Sequence, residues 1–318
     1  MIDLRGRDFL TLQDYSGEEI IAILYLAGKL KDKQKKGEPH PLLQGQTLAM
    51  IFQKPSTRTR VSFEVGMWQL GGHALFLSSQ ELQMGRGEPV KDTAAVLSRY
   101  VDGIMIRTFD QAEVEELATH ASVPVINGLT DLFHPCQALA DLLTIKEKLG
   151  TFKGIKLAYV GDGNNMAHSL LIACSKLGLH VSVGAPENYL PLEEVTAKAK
   201  ENSVQSGSSV HITTDPAEAV KGADIIYTDV WTSMGKEEEK NIRQGIFAPY
   251  QVNEELVKLA RPGAIILHCL PAYRGLEITA EVLEGKQSAV LDQAENRLHA
   301  QKALMAMLMG APEALSKL

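Results

Sequence analysis

Short apolar or β-branched runs alternate with amphipathic stretches along the whole chain, and this alternation constrains the fold more than any other feature. The runs fall at 47–52, 74–77, 103–107 and 125–127, and then at 156–160, 180–183, 210–213, 225–228 and 264–268. Helical patterns lie between them, for example at 167–177 and 253–259. A strand cannot reach a parallel neighbour through a tight turn; it needs a crossover, usually a helix. The pattern therefore predicts an α/β fold whose parallel sheets carry helices on both faces. A length of 318 residues allows about two domains. We place the boundary near 150–154, where a helix over about 137–149 ends and a new βαβ series begins. The expected domains are 1–150 and 151–294, each a parallel sheet flanked by helices. A last helical pattern, 295–309, is assigned to the first domain together with the remainder of 295–318.

Several function classes are disfavoured at once. The net charge of −7 gives no basic field for nucleic acid. The densest basic run, Lys29 to Lys36, carries five lysines with no aromatic interleaved, as a solvated helix end would. No stretch reaches 18 uncharged apolar residues, so no membrane span is expected. Met1-Ile2-Asp3-Leu4-Arg5 lacks the apolar core of a signal peptide. Cys136, Cys174 and Cys269 show no paired spacing, which favours free thiols and a cytoplasmic location.

Open α/β sheets bind ligands at the carboxyl ends of their strands, and a cleft between two such domains is the default site. The unusual polar residues of this chain fall at those ends. Ser56-Thr57-Arg58-Thr59-Arg60 follows the 47–52 run and opens a helix marked by Val61, Val65 and Trp68. Free backbone N–H groups, a positive helix end and guanidiniums together suit a phosphate, although an ordinary helix cap with solvated arginines reads the same. Arg107 ends the 103–107 run. His134-Pro135-Cys136-Gln137 opens the next helix, with an imidazole able to donate to an oxyanion and an amide able to pair with another amide. Gly161-Asp162-Gly163-Asn164-Asn165-Met166 is like a dinucleotide fingerprint, but Met166 replaces the third glycine and no acidic residue ends the 180–183 run. Asn164 and Asn165 remain as donors suited to a carboxylate. Asp229-Val230-Trp231-Thr232-Ser233-Met234-Gly235 offers a carboxylate for an ammonium group. In His268-Cys269-Leu270-Pro271 the thiol could be a nucleophile, a metal ligand or a positioning group. Metal is disfavoured for want of a paired Cys/His motif, and covalent catalysis because His268 and Cys269 point to opposite faces of a strand. Glu295-Asn296-Arg297 adds a further cation.

Taken together these motifs resemble the transcarbamoylase family, in order and over nearly the whole chain. The Asp229–Gly235 and His268–Pro271 motifs are similar to those of its ornithine branch. The aspartate branch carries a His-Pro-Leu-Pro-Arg type sequence in place of the second motif. The resemblance implies transfer of a carbamoyl group from carbamoyl phosphate to the δ-amine of L-ornithine, giving L-citrulline and phosphate. It implies a carbamoyl-phosphate site of Ser56, Thr57, Arg58, Thr59, Gln83, Arg107, His134, Gln137, Cys269, Leu270 and Arg297. It implies an ornithine site of Asn165, Asp229, Ser233 and Met234. Arg107, His134, Asp229 and Cys269 are the implied catalytic residues. No metal or organic cofactor is implied, and the family's usual assembly is a homotrimer. The competing readings are a transcarbamoylase for another amine, a nicotinamide-dependent oxidoreductase and an inactive binding protein.

Overall fold

The computed structural model describes residues 2–232 and 237–311. Its strands are β1 (Thr47–Phe52), β2 (His73–Ser78), β3 (Gly103–Arg107), β4 (Val125–Leu129), β5 (Lys156–Val160), β6 (His180–Gly184), β7 (Val210–Thr213), β8 (Ile225–Thr228) and β9 (Ile265–His268). Its helices are α1 (Gly17–Lys35), α2 (Thr57–Gln69), α3 (Val90–Leu97), α4 (Gln111–His120), α5 (Pro135–Leu149), α6 (Asn165–Leu177), α7 (Glu193–Ser206), α8 (Pro216–Val220), α9 (Lys240–Phe247), α10 (Glu254–Val257), α11 (Ala280–Leu283) and α12 (Val290–Met309). The chain divides into two compact units, Met1–Leu143 with Glu295–Leu318, and Thr144–Ala294.

The first unit is built on a parallel sheet of order β2-β1-β3-β4. Leu48 to Phe52 of β1 and all of β3 are buried, as strands covered on both faces by helices must be. Ala49, Ile51, Ile104 and Ile106 pack with Val114 and Leu117 of α4 into one core. Helix α12 supplies a nearly continuous buried face, Ala303 to Leu308, to this unit. It begins at Val290, five residues before the sequence pattern suggested.

Val61 and Trp68, whose spacing marked α2 in the sequence, are 49% and 76% exposed. The buried face of α2 is instead Thr59, Ser62, Phe63, Gly66 and Met67. A Cβ on Gly66 would lie 3.0 Å from Met305 of α12, so small residues on this face let the helices approach closely. The apolar spacing located the helix correctly but marked its solvent face.

The second unit is a parallel sheet of order β7-β6-β5-β8-β9. Ala158, Val160, Ile226 and Ile266 form its core with Tyr250, Val252 and Ile278. Helix α6 is buried from Met166 to Ser175, with Asn164 as its N-cap. Gly163, read as half of a dinucleotide fingerprint, has a packing role: a Cβ there would meet Pro191 N at 2.3 Å. Only glycine lets the 161–164 turn pass the 189–191 backbone, whatever the ligand. The expected helix at 253–259 is one turn, Glu254–Val257, capped by Asn253. Within each sheet every named strand is parallel, so the carboxyl ends of that sheet share one edge, and most of the motifs follow those ends.

Candidate active site

In the first unit, Ser56 caps α2 by accepting from Thr59 N at 3.2 Å, and its hydroxyl lies 3.1 Å from Thr59 Oγ1. The cap orients the first turn, whose N–H groups and positive end favour an anion. Thr57 is exposed and Arg58 half-buried at this turn. Arg60 turns elsewhere: Nε donates to Glu64 Oε1 at 2.9 Å, and the guanidinium stacks 3.7 Å from the Phe76 ring centroid. Arg107 ends β3 opposite Phe52 of β1 and is buried. Arg297, on α12, is also buried; it donates to Gln137 Oε1 at 2.7 Å and to Thr59 Oγ1 at 3.2 Å. Gln137 in turn donates to Asp141 Oδ1 at 2.8 Å.

His134 lies among these groups at the start of α5. Burial, and beyond it the guanidiniums of Arg297, Arg107 and Arg58, hold it well below the usual imidazole range. It is therefore neutral at pH 7, with one N–H donor and one acceptor nitrogen. The three arginines close enough to press on it form a concentrated positive field, suited to a dianion and to a developing oxyanion. Ser56, Thr59, Arg58, Arg107, His134, Gln137 and Arg297 thus form one group.

In the second unit, Asp229 follows β8 and is 7% exposed. Its carboxylate accepts from Asn164 Nδ2 at 3.0 Å, from Val230 N at 2.8 Å and from Cys269 Sγ at 2.9 Å. Asn164 also caps α6, accepting from Met166 N at 2.9 Å, so one residue fixes both the helix start and the carboxylate. The neighbouring Asn165 is the first residue of α6 and half-buried.

His268 is buried, and although neighbours on a strand are expected to point to opposite faces, a nitrogen of its ring lies within 4.8 Å of Cys269 Sγ. Leu270 N donates to its Nδ1 at 2.9 Å, which makes Nδ1 the acceptor and leaves Nε2–H facing Glu277 Oε1 at 3.2 Å. Leu270 itself sits at φ +56°, a left-handed conformation costing a non-glycine residue about 1–3 kcal/mol. The Glu277–His268–Leu270 chain holds that strained backbone in place. The sequence carries no paired Cys/His metal motif, yet the fold brings ligand atoms of Asp229, His268 and Cys269 within 4.8 Å of one another. Both ring nitrogens of His268 are already engaged, so coordination by it would break one of these bonds.

Gln83 is not joined to the first group by any hydrogen bond among the described residues. It lies exposed on a short 3-10 turn, Gln83–Arg86, beyond the edge strand β2. Ser233 and Met234 lie outside the described residues. The sequence reading left Asp141, Glu277 and Gln301 unmarked. Each is a buried polar residue that orients another, and nothing local in the sequence distinguishes them from solvated side chains.

Two family models match the chain. Residues 7–147 match the aspartate/ornithine carbamoyltransferase carbamoyl-P binding domain, and residues 153–308 match the Asp/Orn binding domain of the same family. Ornithine carbamoyltransferase of Anoxybacillus flavithermus is 60% identical over 308 residues, covering 97% of this chain and 98% of that protein. The anabolic enzyme of Pyrococcus furiosus is 60% identical over 310 residues, covering 98% of each. The solved structure of ornithine carbamoyltransferase from Pyrococcus furiosus superposes with a TM-score of 0.95 at 60% identity, covering 97% of this chain and 99% of that one. The Thermus thermophilus structure does so with a TM-score of 0.85 at 44% identity, covering 95% and 98%. With matching domains along both halves and full-length identity this high, the chain belongs to the aspartate/ornithine carbamoyltransferase family.

Proposed function

We propose that the chain transfers the carbamoyl group of carbamoyl phosphate to the δ-amine of L-ornithine, releasing L-citrulline and phosphate. The observation that carries the choice of amine is the Asp229 carboxylate, held by Asn164, Val230 N and the Cys269 thiol. A fixed anion with neutral donors around it suits the ammonium group of an amino acid and repels the extra carboxylate of aspartate. Relatives 60% identical along nearly the whole chain, including one named anabolic, support the same reading and a role in arginine biosynthesis.

In this reading the first unit holds carbamoyl phosphate. Ser56, Thr57, Arg58, Thr59 and Arg107 take the phosphate; Thr59, Arg107 and neutral His134 donate to the carbamoyl oxygen. Gln137 and the backbone of Cys269 and Leu270 take the carbamoyl amide, and Arg297 approaches the same ligand. Asn165, Asp229, Ser233 and Met234 hold ornithine. Its δ-amine, with a pKa about 10.4, must attack as the neutral form, which at pH 7 costs about 4.6 kcal/mol. Cys269 and Asp229 already share a hydrogen bond along which that proton could be handled. The amine lone pair forms the C–N bond, and the C–O bond to phosphate breaks with its electrons leaving on phosphate. One donor aimed at the intermediate oxyanion is worth about 3–4 kcal/mol.

The assembly we propose is a homotrimer working in the cytoplasm. Val61 and Trp68 on one exposed stripe of α2 give it an apolar surface to bury, and exposed Gln83 fits a role across a subunit boundary. The free cysteines fit a reducing compartment, and among the described residues no helix is long and apolar enough to cross a membrane. Trp68→Glu is expected to lower the mass seen in sedimentation and reduce activity; an unchanged trimer would exclude α2 from the interface.

A citrulline colour assay tests the activity, with aspartate, putrescine and acetylornithine run beside ornithine. Turnover with ornithine alone is the expected result. Turnover with another amine, or with none, would overturn the assignment.

A further inference from the structure

We propose that Gln301 is a positioning residue that fixes the guanidinium of Arg297 for carbamoyl phosphate. The inference rests on the reading of Arg297 as a ligand of that substrate. Gln301 lies one helical turn beyond Arg297 on α12 and is 1% exposed. Its orientation follows from its neighbours: a guanidinium offers only donors, so the amide oxygen must face it. So placed, Gln301 accepts from Arg297 at 2.9 Å and from its Nε at 3.1 Å. The amide nitrogen then donates to Ser62 Oγ at 2.5 Å. Ser62 in turn donates to the carbonyl oxygen of Arg58 at 2.6 Å.

The result is one directed chain of hydrogen bonds. It runs from the backbone of Arg58, in the first turn of α2, through Ser62 and Gln301 to Arg297 on α12. Arg297 closes the ring by donating to Thr59 Oγ1 and to Gln137. All of these side chains are buried apart from Arg58, so each bond is shielded from water. A guanidinium has many rotamers, and its charge is useful to a ligand only in one of them. Gln301 grips one edge, Nε together with a terminal nitrogen, and leaves the rest of the fork to the site. Gln301 meets neither substrate in this arrangement; it acts through Arg297. The length of its side chain and the dual character of its amide are both needed, one end accepting from Arg297 and the other donating to Ser62.

Steady-state citrulline formation tests this with Gln301→Met, Ser62→Ala, Arg297→Met and the Gln301→Met/Arg297→Met pair. Loss of hydrogen bonds to a charged group predicts that Gln301→Met raises the KM for carbamoyl phosphate roughly 10- to 100-fold. The KM for ornithine stays near the parent value, a selectivity that a merely structural role would not give. In the Arg297→Met background the Gln301 change adds little, because its effect passes through Arg297. Where Gln301→Met does not fold, Ser62→Ala decides: it raises the same KM by a smaller factor. An unchanged KM for carbamoyl phosphate in Gln301→Met, with a raised one in Arg297→Met, overturns the positioning role and leaves Arg297 in the site. Additive losses in the pair overturn it as well. If Arg297→Met itself binds carbamoyl phosphate normally, the reading of Arg297 falls, and the inference with it.

Discussion

At the scale of single residues, the arginines and the thiol are distinguishable by what their removal leaves behind. Arg58 is half-buried at the first turn of α2, and its side chain is not part of a core cluster. Arg58→Gly is expected to abolish carbamoyl-phosphate binding in calorimetry while far-UV circular dichroism stays as in the parent; normal affinity would remove Arg58 from the site. Cys269 presents its thiol to Asp229 as a hydrogen-bond donor, and the role proposed for it is non-covalent. Cys269→Ser keeps a donor at the same place, since a hydroxyl can also donate to the carboxylate. It should therefore retain turnover, reduced by roughly 10- to 100-fold, less than the roughly 100- to 10,000-fold of a whole general acid–base contribution because a donor remains. A carbamoyl-thioester trapped on Cys269 and seen by mass spectrometry would reverse this. These residues were legible in the sequence because each sits just after a strand, where chain direction alone sends it to the ligand edge. Glu277 and Gln301 were not legible: Glu277 meets His268 only once the chain is packed, and Gln301, although i+4 to Arg297 on one helix, gains its burial and its Ser62 partner only from the packing of α12 on α2.

At the scale of elements, strand ends were read closely: 47–52, 103–107, 156–160, 210–213 and 225–228 match the observed strands. Doubly covered parallel strands are continuous apolar runs, and such runs have sharp edges in sequence. Helix faces were harder. The stripe Val61 and Trp68 is solvent-facing, whereas the buried face of α2 carries Thr59, Ser62 and Gly66, which no hydropathy pattern marks as interior. The reason is the approach of α12, which contacts the Gly66 position through Met305, Lys302 and Leu298. This gives an ordered prediction. In Gly66→Ala, the gain in helix propensity of about 1 kcal/mol is offset by a 3.0 Å contact with the flexible end of Met305, so stability changes little. Gly66→Leu cannot be accommodated that way and is expected to destabilise by about 1–3 kcal/mol or more in urea unfolding. Equal midpoints for the two variants would show that α12 does not set this spacing.

At the scale of the whole molecule, buried basic groups make stability depend on pH. Burial and the charges of Lys302, Lys31, Lys35 and His40 push His299 down to about 3. His134 is held well below its usual range, and His40 is lowered, in both cases chiefly by burial. Unfolded, each imidazole has a pKa about 6.5. Below pH 6.5 the unfolded chain therefore binds protons that the folded chain refuses. Stability falls as pH falls, by up to about 1.4 kcal/mol per pH unit for each such imidazole. Lys302 has a separate window. It is fully buried against Gln34, Gln69 and His40 and is pushed down to about 8 by burial. Its unfolded pKa is about 10.4, so between roughly pH 8 and 10 the unfolded chain again binds more protons, and this group makes stability rise with pH. Urea midpoints measured from pH 5 to 7 should rise with pH, in a range above most carboxylate titrations. His299→Gln should flatten that rise by about one proton, and Lys302→Met should leave it intact while removing a contribution above pH 8. If His299→Gln leaves the acid slope as steep as in the parent, His299 is charged in the folded molecule and the account of its burial is wrong.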